Sequence, residues 1–130
     1  MGVIQSLRSA DFHIPADDTS DAFHAIVELM SENQSGSSYD FAYMSRAYPE
    51  SWDRLEDAMQ AWRFPIETDE EGNVVNIEFW GEKTGDEHVL FERIAPFVET
   101  GSTIVMSVGA VGDRTRYTFT ENSVRVERGL

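Results

Sequence analysis

Apolar side chains recur at helical spacing in three segments of the chain, with polar residues on the opposite face of each. The first segment predicts a helix from about Ser20 to Glu32, preceded by several N-capping residues at 17–20. The second predicts a helix that can begin at Pro49 and ends near Trp62. The third predicts a helix that follows Thr84-Gly85-Asp86 and is interrupted by Pro96. The three apolar stripes are Phe23, Ile26, Val27 and Met30; Trp52, Leu55, Met59 and Trp62; and Leu90, Phe91, Ile94 and Phe97 or Val98.

Between the second and third helices the apolar period changes to two, which is typical of strands. Residues 64–69 and 74–82 predict a hairpin with Glu70-Glu71-Gly72-Asn73 as its loop. That loop would place Glu67 opposite Asn76 and Phe64 opposite Phe79. One face of the hairpin would then carry Phe64, Ile66, Thr68, Val75, Ile77 and Phe79, and the other Pro65, Glu67, Asp69, Val74, Asn76, Glu78 and Trp80.

The period of two returns after Gly101. Residues 102–108 predict a strand with Ile104, Met106 and Val108 facing inward. Residues 114–120 and 123–127 predict a second hairpin around Glu121-Asn122, with a loop of type I′ character. Its inward pairs are Phe119 with Val124 and Tyr117 with Val126, and its outward pairs are Thr118 with Arg125 and Arg116 with Glu127. A short strand is also predicted at 11–15, with Phe12 and Ile14 on one face.

These elements predict a single α+β domain over residues 1–130. Each helix has one apolar stripe, and the predicted sheet has one apolar and one polar face. The economical arrangement is a two-layer sandwich, in which about three helices pack on one face of an antiparallel sheet of about five to six strands.

The chain has 130 residues, with 24 acidic and 10 basic side chains and a formal net charge of -14. It contains no cysteine, which excludes a disulfide scaffold, a thiolate metal site and a cysteine nucleophile. The charge argues against nucleic acid and membrane as direct partners, because both present anionic surfaces.

No apolar run approaches the ~18 residues of a membrane span. Residues 1–10 lack the apolar stretch of a secretory signal, so we expect a cytoplasmic protein.

The acidic residues are concentrated in the first three quarters of the chain. Residues 11–57 hold 11 acidic residues and two arginines, and residues 64–101 hold ten acidic and two basic residues. Such a surface is either a solvated face or a surface that meets a basic partner. The candidate binding residues are Glu67, Asp69, Glu70, Glu71 and Glu78 on the first hairpin and Asp53, Glu56 and Asp57 on the second helix. Trp80 is a candidate apolar anchor on the hairpin's polar face, the alternative being burial under the loop at 33–48.

Candidate chemistry is sparse in this sequence. His24 and Glu28, with His88 and Glu92, could supply metal ligands only if their two helices meet. No nucleophile elbow or phosphate loop is present, so we expect neither catalysis nor a cofactor or metal. Core packing is the favoured interpretation of the aromatic residues Tyr39, Phe41, Tyr43 and Tyr48. Arg116, Arg125 and Thr118 could bind an anion, although Glu127 is expected to occupy Arg116.

Together these features favour a non-catalytic acidic protein that blocks a basic protein surface, and the favoured target is a surface that binds nucleic acid. Small size, excess acid and the lack of catalytic motifs are the profile of nucleic-acid mimics and of phage anti-defence proteins such as anti-CRISPR inhibitors. Three alternatives remain open: an immunity-type protein that neutralises a toxin, a domain acidic through salt adaptation, and a small metal-dependent hydrolase. The sequence leaves the oligomeric state and the order of residues 33–48 open.

Overall fold

A computed structural model of the chain describes residues 5–34, 52–80, 87–109 and 113–129. The α+β class predicted from the sequence is confirmed, and the described residues form three α-helices, a four-stranded antiparallel sheet and a two-stranded sheet. Predictions for the aromatic residues at 39–48, for Pro49 and for the cap at 84–86 lie outside the described residues. The elements are β1 (Gln5–Asp11), α1 (Thr19–Gln34), α2 (Leu55–Ala61), β2 (Ile66–Thr68), β3 (Val74–Ile77), α3 (Glu87–Ile94), β4 (Thr103–Val108), β5 (Asp113–Phe119) and β6 (Val124–Arg128).

The six strands of the described residues are divided between two sheets. The four-stranded sheet, here called the main sheet, has the antiparallel order β1-β4-β5-β6, and β2 pairs with β3 alone. The segment after β1 links the two sheets, because Ile14 and Val74 exchange backbone hydrogen bonds of 3.2 and 2.8 Å. The number of strands therefore agrees with the predicted five to six. The strands form two separate sheets, however, instead of the one sheet that was predicted.

The first strand lies earlier than the sequence predicts. It spans Gln5–Asp11 and pairs with β4 at one edge of the main sheet. The predicted strand at 11–15 is wrong, although Phe12 and Ile14 are both fully buried. β1 is a strand because its backbone pairs with β4. The β1 sequence, QSLRSAD, has no apolar alternation from which a strand could have been predicted.

The first hairpin contains a bulge that the sequence-based register lacked. Pairing of Glu67 with Asn76 is confirmed, but Thr68 pairs with Val74 instead of Val75. The loop is shortened to residues 70–72 because Gly72 adopts a φ of +88° and the Asp69 amide donates to the Asn73 carbonyl at 2.9 Å. This is the three-residue hairpin loop in which a left-handed glycine accompanies a bulge. As a result Val74 is fully buried and Val75 is exposed, the reverse of the predicted orientation.

The second hairpin has the predicted register. All four predicted pairs between β5 and β6 are present. Two details differ. Among the described non-glycine residues only Arg63 has a positive φ, so the Glu121-Asn122 loop is not type I′. Val126 is 41% exposed instead of buried, since it lies on β6 at the edge of the sheet.

The end of α2 directs the chain from the helix into the first hairpin. The Phe64 amide donates to the Met59 carbonyl and the Arg63 amide to the Gln60 carbonyl, both at 2.9 Å. These are the two hydrogen bonds of a Schellman motif, and Arg63 with a φ of +70° takes the left-handed position that glycine usually holds. Phe64 and Met59 are both fully buried beside this turn.

The core joins the helices to the inner face of the main sheet. Phe91 on α3 lies at its centre, with ring centroids 5.1 Å from Phe64, 5.0 Å from Tyr117 and 5.8 Å from Phe119. The predicted inward residues Ile104 and Met106 are fully buried. The buried aliphatic side chains include Ile26, Leu29, Leu55, Met59, Leu90 and Ile94 from the predicted helical stripes and their neighbours.

One buried polar pair also connects α3 to the main sheet. The Tyr117 hydroxyl donates to Glu87 Oε1 at 3.2 Å, and the Glu87 side chain is almost completely enclosed. Burial, reinforced by the Glu87 carboxylate, raises the pKa of the Tyr117 phenol. The phenol therefore stays protonated and keeps donating to Glu87.

Candidate partner-binding surface

The outer face of the first hairpin carries two carboxylates and a large aromatic side chain. Backbone pairing continues beyond β3, with the Glu78 amide donating to the Pro65 carbonyl at 2.9 Å and the Trp80 amide to the Arg63 carbonyl at 2.8 Å. Strand alternation therefore places Glu67, Glu78 and Trp80 on one face, as predicted. Trp80 is 58% exposed, and the loop at 33–48 that the alternative interpretation placed over it lies mostly outside the described residues.

A second acidic feature lies between the helices and the hairpin tip. The N-terminal ends of α1 and α2 and the hairpin loop surround a depression of about 400 Å³, here called the acidic groove. It brings together Asp53 and Glu56 from the start of α2 with Asp69 and Glu70 from the hairpin. The two acidic segments predicted from the sequence therefore meet in space. The predicted residues that do not line the groove are Asp57, Glu67, Glu71, Glu78 and Trp80.

Asp69 organises the hairpin loop. Its Oδ1 accepts from the amides of Glu71 at 3.0 Å and Asn73 at 2.9 Å, and its Oδ2 accepts from the Asn73 side-chain amide at 3.0 Å. The side-chain hydrogen bond from Asn73 is the main reason why the pKa of Asp69 lies below its ordinary value, and the backbone amides add to the effect. Asp69 therefore stays ionised, and its carboxylate is engaged within the chain.

We expect Asp69→Asn to lower the melting temperature by a few degrees at neutral pH, because an amide cannot accept all three hydrogen bonds. The folded-state pKa of Asp69 is lowered, so its stabilising contribution is present above its ordinary pKa of 3.8 and is lost as the pH falls through the folded-state value. The difference between the variant and the parent should therefore shrink below that pH. Thermal melts at a series of pH values measure it.

Glu70→Gln is the matched control, because it removes the same charge from the neighbouring, exposed position. Its effect on the melting temperature should be small at every pH. A loss as large as that of Asp69→Asn would mean that local charge, and not the hydrogen bonds of the loop, sets the stability of the hairpin.

Asp57 has a similar structural role at the start of α2. Its Oδ2 accepts from the backbone amides of Asp53 at 2.8 Å and Arg54 at 3.2 Å, which satisfies donors that precede the first helical turn. Arg54 also lies 3.8 Å from Glu56 and brings one positive charge to the acidic groove. In the described parts of the chain, no backbone amide donates to the carboxylates of the other candidate acids, which are Asp53, Glu56, Glu67, Glu70, Glu71 and Glu78.

The residues considered for metal binding do not form a cluster. Over the described parts of the chain, no three His, Asp or Glu side chains converge on a common point suited to a metal ion. His24 and His88 are both exposed, and Glu92 instead accepts hydrogen bonds from the Ser123 hydroxyl at 3.1 and 3.3 Å. Within the same residues, no helix has the length and apolar character needed to cross a membrane.

Part of a basic surface on the main sheet was not predicted from the sequence. Arg8 and Arg114 join Arg116 around a second depression, on the face of the sheet that points away from the helices. Alternation along β5 could have identified Arg114, since it shares a face with Arg116 and Thr118. Arg8 could not have been placed there, because β1 was not recognised as a strand.

Comparison of the chain with protein-family models, with curated proteins and with solved structures found no match. The chemistry of its own surfaces is therefore the basis for a functional assignment.

Proposed function

We propose that this chain is a non-catalytic binding protein that blocks a basic protein surface, one that otherwise binds nucleic acid. The observation that carries the proposal is Trp80, a 58% exposed aromatic side chain on the same hairpin face as Glu67 and Glu78. Tryptophan is among the residues that most often dominate binding energy, and the carboxylates beside it would select a cationic partner.

The arrangement of the carboxylates supports this role. The acidic groove continues the negative surface from the hairpin tip to the start of α2. Hydrogen bonds fix Asp57 and Asp69 in their places, which holds the backbone of both segments and so the positions of the neighbouring exposed acids. A preorganised surface loses less conformational entropy on binding than a flexible one.

Charge of this density acts mainly on association. Duplex DNA presents one negative charge per ~1.7 Å of its axis, and a basic groove that accepts it attracts other ordered anionic surfaces. Complementary charge accelerates encounter at low salt, while an apolar anchor such as Trp80 would slow dissociation. The proposal therefore requires binding that weakens with salt and depends on Trp80.

The test is capture of the partner from lysate of the source cell, at ~50 and ~500 mM salt, which brackets the range in which charge contacts weaken. The bait is compared with Glu67→Lys/Glu78→Lys and with Trp80→Ala. We expect a nucleic-acid-binding protein to be retained at low salt, and the double variant to lose at least about tenfold in affinity. Asp69 is left unchanged because it holds the hairpin loop.

The matched control is Glu99→Lys/Glu121→Lys, which makes the same change in net charge at two exposed positions outside the first hairpin. It should retain the partner, and all variants should keep the parent's melting temperature within a few degrees. Equal loss in both double variants would assign the effect to net charge and contradict the proposed face. An eluate without a basic partner at either salt would contradict the proposed function itself.

A further inference from the structure

The basic depression on the main sheet is built from three strands. It has a volume of about 480 Å³ and is lined by Leu7, Arg8, Ser9, Val105, Arg114 and Arg116. One row of paired residues crosses it, from Ser9 on β1 through Val105 on β4 to Arg116 on β5. A bulge in β1 between Leu7 and Ser9 interrupts the regular pairing beside Arg8. We call this feature the arginine depression.

The charges around the arginine depression are positive in a chain whose net charge is -14. None of the described residues that line it is acidic. Arg8 and Arg114 are exposed, and neither has an acidic partner among the described residues. These two guanidinium groups are therefore available to an anion.

Arg116 is held in place by the neighbouring strand. Its Nε and one terminal nitrogen donate to the two carboxylate oxygens of Glu127 at 3.2 and 3.3 Å. Glu127 also lies 3.7 Å from Arg125, and its hydrogen bonds with Arg116 hold its pKa below the ordinary value. The ionised Glu127 thus fixes the orientation of Arg116 and offsets one of the three positive charges.

We propose that the arginine depression binds a small organic phosphate monoester. Two uncompensated arginines match a dianion, and a phosphate monoester carries -1.5 to -2 charges near pH 7. Guanidinium groups bind phosphate oxygens in a planar, bidentate geometry. Leu7 and Val105 give the depression an apolar part, which suits an organic substituent on the phosphate. The volume lies within the range of small-molecule sites, about 300–1,000 Å³.

The overall charge distribution favours a small ligand over a nucleic acid. A polyanion that extended beyond the depression would be repelled by the negative potential of a chain with 24 acidic residues. A single phosphate group meets mainly the local arginines, because salt screens charges farther away than ~8 Å at physiological ionic strength. This inference is independent of the proposed protein partner, since it concerns a different sheet.

The test is a titration of the ¹⁵N-labelled full chain with phenyl phosphate at ~150 mM NaCl, which screens non-specific attraction. We expect shifts of the backbone amides of Ser9, Val105 and Arg114, and weaker binding of inorganic phosphate, which lacks the apolar group. Arg8→Gln/Arg114→Gln should weaken phenyl phosphate binding by at least about tenfold, since hydrogen bonds to charged groups are strong. Lowering the pH to ~5 should also weaken it, because the ester becomes a monoanion.

Arg125→Gln is the matched control, because Arg125 does not line the depression. It should change the affinity less than about twofold, an effect far below that of a lost charged hydrogen bond. Equal weakening by Arg125→Gln, shifts confined to other parts of the chain, or inorganic phosphate binding as tightly as phenyl phosphate would each overturn the proposal. Tighter binding of a single-stranded oligonucleotide than of phenyl phosphate would do so as well, by assigning this face to nucleic acid.

Discussion

Phe91→Ala is expected to lower the free energy of unfolding by about 3–5 kcal/mol, the usual cost of removing a buried phenylalanine ring. Phe91 is fully buried, and its ring contacts Phe64 from the first hairpin and Tyr117 and Phe119 from β5. Its removal would leave a cavity at the point where α3, the hairpin and the main sheet meet. Because small domains have a total stability of about 5–15 kcal/mol, this single change should bring the chain close to unfolding.

Urea denaturation followed by tryptophan fluorescence measures this loss. Phe97→Ala is the matched control, because Phe97 packs against the same core but is only half-buried. The control should cost less than half as much as Phe91→Ala. Comparable losses would show that the aromatic contacts of Phe91 are not the central link between the elements.

The helices could be predicted from the sequence because their signal is local. Leu90, Phe91 and Ile94 recur at the spacing of one helical face, and all three are fully buried. The second hairpin could be predicted for the same reason, since the partners Arg116 and Glu127 lie close together in the chain. Apolar periodicity and short loops were sufficient in both cases.

Apolar periodicity does not indicate which distant strands pair, nor where a backbone bulge lies. β1 pairs with β4 from the other end of the chain, through backbone groups that any sequence provides. The bulge opposite Thr68 exchanged the orientations of Val74 and Val75, because side chains alternate with a period of two. The signal for that bulge was Gly72 in a loop that could hold either three or four residues.

The candidate surface shows the same division between local and long-range information. The face shared by Glu67, Glu78 and Trp80 follows from alternation, and the sequence predicted it. The exposure of Trp80 depends on what packs above the hairpin, which alternation along a single strand does not indicate. The hydrogen bonds of Asp69 with Asn73 follow a known turn preference of aspartate, which could have separated a structural acid from those free to bind.

Gln5→Met is expected to raise the free energy of unfolding by about 1–3 kcal/mol, because it removes an unsatisfied polar group from the interior. Gln5 is only 3% exposed, and neither Nε2 nor Oε1 has a hydrogen-bond partner among the described residues. Methionine has a similar length and shape and no group that must be hydrogen-bonded. The measurement is the urea midpoint at constant m-value, which isolates a change in stability from a change in compactness.

Gln60→Met provides the matched control, since Gln60 is exposed on α2 and the substitution there leaves no buried polar group in either form. Its effect should lie within about 0.5 kcal/mol of zero, as for most surface substitutions. A gain at position 5 alone would mean that the main sheet tolerates an unsatisfied amide at the start of its edge strand. A loss of stability in Gln5→Met would contradict the prediction, and would mean that the Gln5 amide has a hydrogen-bonding partner that stabilises β1.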